Sequence, residues 1–183
     1  PARGASLNAI VVAGELLKIT PRIRSVFSAL PGCRLINQYG PSETHVVTSA
    51  VLAGDARTWP YFPSIGRMID NTTAYILDQY GELVPRGAVG ELFIGGDPLA
   101  RGYYGRADLT AERFADHSVQ LAEGTVDVGR LYRTGDLVRL TNFGVLEFRG
   151  RADSQVKLRG HRVELGEIES RLTQMAAVEQ VVV

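Results

Sequence analysis

The sequence predicts an α/β protein built from three successive segments, and two changes in residue pattern along the chain support this prediction. The first segment alternates a strand, a helix and a strand, like the edge of an α/β layer. From about Trp59, short strand candidates separated by turns replace this pattern. Past Gly150 an alternating run precedes an amphipathic helix. We therefore expect residues 1–58 to end an α/β subdomain, 59–152 to form a β-rich subdomain, and 153–183 to start a small α+β subdomain.

The first segment should hold one helix between buried strands. Residues 7–13 are rich in Ile and Val and close at Gly14, which is typical of a short buried strand. Thr20 can cap a helix whose first turn holds Pro21, and Pro31-Gly32 should end it. Further strands are expected at 33–36 and 46–52, joined by a polar loop.

The middle segment should be mostly short strands. Glycine- and asparagine-containing turns separate the candidates, and Asn142-Phe143-Gly144 predicts the turn of a hairpin over 137–148. A single helix is expected at 110–115. The strands are predicted at 73–77, 91–94, 131–133, 137–140 and 145–148.

The last segment should contain one strand and one helix. Residues 155–163 alternate as a strand does, and 165–175 carry an apolar stripe at helical spacing. Acidic residues at the start of that helix suit the positive end of its dipole.

Composition excludes several classes of function. Of the 183 residues, 45% are apolar and 22% charged, with 20 basic and 20 acidic side chains. This balance gives no reason to expect binding to nucleic acid or to a membrane surface. The single cysteine, Cys33, excludes an internal disulfide and should be a buried, reduced thiol. No run is long and apolar enough for a membrane span or a signal peptide, so we expect a cytoplasmic protein. Because the chain ends inside a strand candidate, we also expect a fragment.

The loop from Asn37 to His45 contains the first of four motifs. Gly40-Pro41 forces a sharp turn, beside which Tyr39 can stack on a base. The hydroxyl of Ser42 can bond a phosphate oxygen and the carboxylate of Glu43 can hold Mg²⁺. Taken alone, such a turn is more often only a turn.

Two further motifs lie in the β-rich segment. The glycines of the run from Gly90 to Tyr104 suit tight turns, so this run is interpreted as a scaffold with little chemistry of its own. In Thr134-Gly135-Asp136 the aspartate can accept hydrogen bonds from both hydroxyls of a ribose. A simple Asx-type turn is the alternative.

The fourth motif runs from Gly150 to Glu169 and packs basic residues ahead of an acidic helix start. Each charge on its own is typical of a solvated strand. Together, in this order and at this spacing, the four runs resemble the core motifs of nonribosomal peptide synthetase adenylation domains. These domains belong to the adenylate-forming superfamily that includes acyl-CoA synthetases and firefly luciferase. The resemblance covers essentially the whole chain.

The resemblance implies that an amino acid is activated by ATP, with Mg²⁺, to an aminoacyl-adenylate. The acyl group then passes to the phosphopantetheine thiol of a peptidyl carrier protein, and condensation domains of the same assembly line are further partners. It implies a catalytic, Mg²⁺-placing role for Glu43, a hinge at Asp153 and a pantetheine tunnel at Gly160. The residues matched to the ATP site are Gly14, Glu15, Asn37, Tyr39, Gly40, Ser42, Asp136, Phe148 and Arg151.

The resemblance also implies half of an amino-acid pocket. Its members are Val11, Ala13, Gln38, Val46 and Val47. Four apolar side chains and one neutral amide offer no partner to a charged substrate, whose unpaired burial would be costly. A neutral, proline-like or aliphatic amino acid is therefore expected. Since strand alternation would send Val46 and Val47 to opposite faces, the backbone after His45 should be irregular.

Some parts of the family pattern are missing from the sequence. It contains no Gly/Ser/Thr-rich phosphate loop, no C-terminal lysine and no aspartate for the α-amino group, so the fragment alone is expected to be inactive. The alternatives are an acyl- or aryl-CoA synthetase, a D-alanine-carrier ligase, or a non-catalytic remnant. The Leu165 region argues against the first, because acyl-CoA enzymes more often have proline there.

Overall fold

The computed structural model describes residues 7–153, 155–158, 161–163, 165–175, 178 and 180–183. A four-stranded sheet opens the chain, with strands β1 (Ala9–Val12), β2 (Arg34–Tyr39), β3 (Thr48–Leu52) and β4 (Arg67–Met68) in that spatial order. β1 and β2 are parallel, and the other neighbours are antiparallel.

Helix α1 (Pro21–Ser28) provides the crossover that two parallel strands require. It begins as its sequence predicts, because the Thr20 side chain accepts a hydrogen bond from the Ile23 amide at 3.3 Å. Phe27 is buried beneath it and packs against Trp59, with ring centroids 5.0 Å apart. Cys33 is buried in the same cluster, as predicted.

The second sheet has five strands, which include one long strand, β8 (Gly124–Leu140). β6 (Val89–Gly96) lies along one edge of β8 and β5 (Thr72–Leu77) lies beyond it. The other edge of β8 pairs first with β7 (Phe114–Leu121) and then with β9 (Leu146–Arg151). Asp136 is the first β8 residue paired with β9, so Gly135 lies where the partner strand changes.

Several elements differ from their predicted limits. The strands expected at 131–133 and 137–140 are one strand, β8, and β7 was not predicted. Helix α2 (Ala107–Arg113) lies a few residues earlier than expected. The prediction of a single strand over 155–163 was wrong. It is an antiparallel pair, β10 (Val156–Leu158) and β11 (His161–Val163), because alternation continues across both short strands; helix α3 (Leu165–Thr173) follows.

A shared hydrophobic core joins the two large sheets. Tyr39, Val47 and Ile65 from the first part pack with residues of the second sheet. Backbone bonds reinforce this contact, since Ile65 donates to the Leu146 carbonyl at 2.9 Å and Leu146 donates to Gly66 at 2.8 Å. The partners in the second sheet are Ile76, Leu92, Ile94, Val138 and Leu146.

Candidate nucleotide site

Three side chains from distant parts of the chain meet at the end of β2. Tyr39 Oη donates a hydrogen bond to Asp136 Oδ2 at 2.5 Å, although 97 positions separate the two residues. Arg151 donates through Nη1 to the other oxygen of the same carboxylate. Asp136 is 2% exposed, and its backbone amide is held by Thr134 Oγ1 at 2.9 Å. The site is therefore a buried carboxylate held by a phenol and a guanidinium.

The electrostatics of the contact fix the direction of the Tyr39 hydrogen bond. Burial raises the pKa of Tyr39 well above its ordinary value, and the neighbouring charge of Asp136 raises it further. Tyr39 therefore stays protonated and donates.

A cavity of about 430 Å³ opens beside this contact. Its volume lies within the usual range for small-molecule sites, about 300–1,000 Å³. Eight of the nine residues predicted for the ATP site line it: Gly14, Glu15, Asn37, Tyr39, Gly40, Asp136, Phe148 and Arg151. The ninth, Ser42, is exposed in the turn that follows and does not line the cavity.

Several lining residues were not predicted. Leu16, Leu17 and Lys18 continue the segment that begins at Gly14, and Gln155 and Val156 follow Asp153. Both sets extend matched motifs by two or three residues, and that adjacency is the signal that could have found them. Ile65 and Gly150 complete the lining, and nothing in the sequence points to Ile65.

Glu43 lies in the turn after β2 and is 8% exposed. Its Oε1 accepts a hydrogen bond from Tyr103 Oη at 2.7 Å, and its backbone carbonyl accepts one from Ala100 at 2.8 Å. The turn is tightly packed: a Cβ on Gly40 would lie 1.7 Å from the His45 carbonyl oxygen. Only glycine fits at this position with the loop in this conformation.

The donor set around Glu43 is compatible with Mg²⁺ but incomplete by itself. Among the described residues no group of three or more His, Cys, Asp or Glu side chains could hold a metal ion. Mg²⁺ in nucleotide sites commonly takes one or two carboxylates, with phosphates and water supplying the rest. Glu43 supplies one such carboxylate from the turn after β2, although it does not itself line the cavity.

The structure does not bring the predicted amino-acid pocket together in one cavity. Val11 is 55% exposed on the outer face of the first sheet, and the strand register places Gln38 on the same face. Ala13 is exposed and Val46 is half-buried. Of the five, Gln38 alone lines the nucleotide cavity.

Val47 departs furthest from the predicted pocket. It has no exposed surface, because its amide bonds the Tyr39 carbonyl at 2.9 Å and its side chain packs into the shared core. In this structure it therefore lines no pocket. The irregular backbone expected here is present, since His45 has φ 55°. It directs Val47 inward.

Asp153, the matched hinge residue, is held by arginines from two elements. Arg151 Nε and Nη2 donate to its two carboxylate oxygens at 2.6 and 2.8 Å, and Arg113 of α2 lies 4.0 Å away. Gly135, at φ 74°, makes room for this pair, because a Cβ there would lie 2.7 Å from Asp153 Oδ2. Gly160, matched to the pantetheine tunnel, lies outside the described residues.

Comparison with known proteins finds one family model, described as "AMP-binding enzyme", that matches residues 2–104. Among curated proteins, tyrocidine synthase 2 of Brevibacillus parabrevis is 47% identical over 174 residues, covering 95% of this chain and 5% of its own length. Malpibaldin synthetase of Mortierella alpina is 52% identical over 151 residues, 82% of this chain and 3% of that protein. The chain thus spans a small part of these relatives.

Solved structures show the same likeness. PA1221, an NRPS protein containing adenylation and PCP domains, superposes with TM-score 0.80 at 31% identity, over 93% of this chain and 33% of that one. The four-domain synthetase AB3403, solved with AMP and glycine, gives TM-score 0.63 at 41% identity, over 91% and 12% of the respective chains. No helix in the described part of the chain is long and apolar enough to cross a membrane.

Proposed function

Because this chain belongs to the family of AMP-binding enzymes, we propose that it forms part of an adenylation domain. The domain activates an amino acid with ATP to an aminoacyl-adenylate and releases pyrophosphate. It then passes the acyl group to the phosphopantetheine thiol of a carrier protein in nonribosomal peptide synthesis. The observation that carries the proposal is the cavity lined by Tyr39, Asp136 and Arg151.

In the proposed site, Asp136 accepts hydrogen bonds from the ribose hydroxyls. Tyr39 and Arg151 each donate a hydrogen bond to this carboxylate and hold it in place at the cavity wall. The ring of Tyr39 forms part of the cavity wall on which adenine stacks. Gly40 and Asn37 bring backbone and amide groups to the same wall.

At the phosphate end, Glu43 places Mg²⁺ and Ser42 offers a hydroxyl to a phosphate oxygen. When bound, Mg²⁺ neutralises the negative charge of the phosphates, which assists attack by a carboxylate on the α-phosphorus. Tyr103 Oη donates a hydrogen bond to Oε1 of this carboxylate at 2.7 Å.

ATP–pyrophosphate exchange by the full-length protein, assayed with neutral and charged amino acids and with fatty and aryl acids, tests this proposal. Exchange that depends on a neutral amino acid is expected. Exchange with fatty or aryl acids alone would instead favour an acyl- or aryl-CoA synthetase. Absence of both exchange and ATP binding would favour a non-catalytic remnant.

The assigned role of Asp136 has its own test. Asp136→Asn should weaken ATP binding about tenfold, because it removes hydrogen bonds made by a charged acceptor. Binding of 2′,3′-dideoxy-ATP should change much less, since that nucleotide has no ribose hydroxyls to lose. Calorimetric titration of both nucleotides measures the difference. Equal losses for the two nucleotides would contradict the ribose role.

The substrate is proposed to be a neutral, moderately small amino acid. Support comes from the five residues that the resemblance matches to the amino-acid pocket, Val11, Ala13, Gln38, Val46 and Val47, because none of them carries a charge that could pair with a charged side chain. Exchange activity should accordingly be much higher with one neutral amino acid than with lysine or glutamate. Comparable activity with either charged amino acid would contradict this assignment.

A further inference from the structure

Glu43 is held from a part of the chain that its own motif does not include. The segment between β6 and α2 supplies two hydrogen bonds to it: Tyr103 Oη donates to Oε1 at 2.7 Å, and the Ala100 amide donates to the main-chain carbonyl at 2.8 Å. Tyr103 lies 60 positions from Glu43. This segment belongs to the glycine-rich run that the sequence indicated as scaffold only.

Tyr103 is itself fixed from several directions. Its backbone amide donates to Thr110 Oγ1 at 2.9 Å, and its ring meets the edge of Phe114 at a centroid distance of 5.8 Å. Gly102, at φ 143°, lets α2 approach, because a Cβ there would lie 2.4 Å from Thr110 Cγ2. Packing and hydrogen bonding thus fix the position of the Tyr103 phenol oxygen independently of its bond to the Glu43 carboxylate.

We propose that Tyr103 is a positioning residue that sets the direction of the Glu43 carboxylate toward Mg²⁺·ATP. A bond to Oε1 restricts rotation of the carboxylate and so fixes where Oε2 points. The inference rests on the proposed function, in which Glu43 places the metal.

Neighbouring Tyr104 provides a matched control. It is fully exposed, whereas Tyr103 is half-buried and bonded to Glu43. Tyr103→Phe and Tyr104→Phe each remove one phenolic oxygen from adjacent positions. A difference between the two variants in their Mg²⁺ requirement therefore reports the contact with Glu43.

The test measures ATP binding to the full-length protein by calorimetry across a Mg²⁺ series and in EDTA. In Tyr103→Phe the Mg²⁺ concentration needed for half-maximal enhancement of ATP binding should rise about tenfold, as expected for losing the partner of a metal-binding group. Binding in EDTA should stay near the wild-type value. Tyr104→Phe should match wild type in both conditions.

Other outcomes would overturn the inference. A Tyr103→Phe protein with wild-type Mg²⁺ dependence contradicts it, and so does one that loses binding equally with and without Mg²⁺ and melts at a lower temperature, which would indicate a purely structural role. If Tyr103→Phe does not fold, Thr110→Val, which removes the acceptor for the Tyr103 amide, should raise the Mg²⁺ requirement in the same direction. An unchanged requirement in that variant contradicts the inference.

Glu43→Gln separates failure of the inference from failure of the proposed function. A higher Mg²⁺ requirement in Glu43→Gln but not in Tyr103→Phe would retain the metal role of Glu43 and reject the positioning role of Tyr103. An unchanged requirement in Glu43→Gln would reject the metal role, and the inference with it. A wild-type protein that binds no ATP would reject the proposed function itself.

Discussion

The Tyr39 hydroxyl donates to the Asp136 carboxylate, which is almost completely buried. This hydroxyl should therefore matter for stability as well as for binding. Tyr39→Phe leaves Asp136 with one hydrogen-bond partner fewer in a site that water barely reaches. We expect the free energy of unfolding to fall by about 1–3 kcal/mol, measured by chemical denaturation. Tyr80→Phe, at a side chain 80% exposed, should change it by less than about 0.5 kcal/mol. Similar losses in the two variants would contradict this reading of the contact.

The pKa of Asp153 predicts how its contribution to stability depends on pH. Burial raises the pKa of Asp153, but the hydrogen bonds and charge of Arg151, the Gln155 amide and the charge of Arg113 together lower it below its ordinary value. The stabilisation is thus complete above the unfolded-state pKa, about 3.9, and is lost as the pH falls through the lower folded-state pKa.

The stability difference between wild type and Asp153→Asn should therefore be constant above about pH 5 and shrink below about pH 4. Unfolding followed by chemical denaturation at several pH values measures this difference. A difference that stays the same across the whole range would show that the ion pairs of Asp153 contribute no stability.

At the scale of elements, the loop after β2 depends on a glycine for its shape. In Gly40→Ala the new methyl group would overlap the His45 carbonyl, so the loop that carries Ser42 and Glu43 must move. We expect a loss of more than about 3 kcal/mol in the free energy of unfolding, together with weaker ATP binding.

Gly32→Ala, in the turn before β2, is the matched control for Gly40→Ala. Gly32 has φ 83°, but nothing lies within 4 Å of the added Cβ, so only backbone strain of about 1 kcal/mol applies. Equal stability of the two variants in chemical denaturation would contradict the packing argument.

The sequence predicted those elements whose ends carry their own signals. α1 has the Thr20 cap and the Pro-Gly stop, and both act as expected. β7 has no such signal: of its eight residues only Phe114 and Val119 are buried, so no clear alternation marks it as a strand. In residues 155–163 the period of two continues across two short antiparallel strands, and a period alone does not reveal a reversal of direction.

The site residues that belong to the matched motifs were predicted from the sequence. Tyr39, Asp136 and Arg151 were matched through the resemblance, and the structure brings them together. Tyr103 and Val47 show what the sequence could not supply. The Tyr103 contact joins two loops far apart in the chain, and the burial of Val47 follows from a core that forms only when both sheets pack.

For the whole molecule, the shared core predicts that the two large sheets unfold together. Leu146 is 3% exposed, packs between the sheets and bonds the segment at Gly66. Leu146→Ala should cost about 2–5 kcal/mol. Hydrogen–deuterium exchange of the full-length protein should then quicken in peptides from both sheets.

Val126→Ala serves as the comparison, because Val126 is 44% exposed and lies outside the shared core. Its exchange pattern should stay close to wild type. Faster exchange in the second sheet alone after Leu146→Ala would show that the sheets unfold independently.

The identification of the family from four motifs is confirmed by the AMP-binding model and by synthetase relatives at about half identity. The predicted α/β fold class is confirmed by structures that superpose over nearly the whole chain. The boundaries at residues 58 and 152 stay predictions. The last strand of the first sheet ends at Met68, and the second sheet ends at Arg151.

The walls of the nucleotide cavity come from both sides of Asp153. Gln155 and Val156 belong to the segment beyond it, yet they close the cavity beside Tyr39 and Phe148. If the chain turns at Asp153, as the matched hinge implies, these two residues would leave the wall. A nucleotide that prefers the closed wall tenfold then opposes the turn by about 1.4 kcal/mol, and the turn weakens nucleotide binding by the same factor. The difference between the nucleotide's binding free energies in the two arrangements would therefore shift how often the small segment turns.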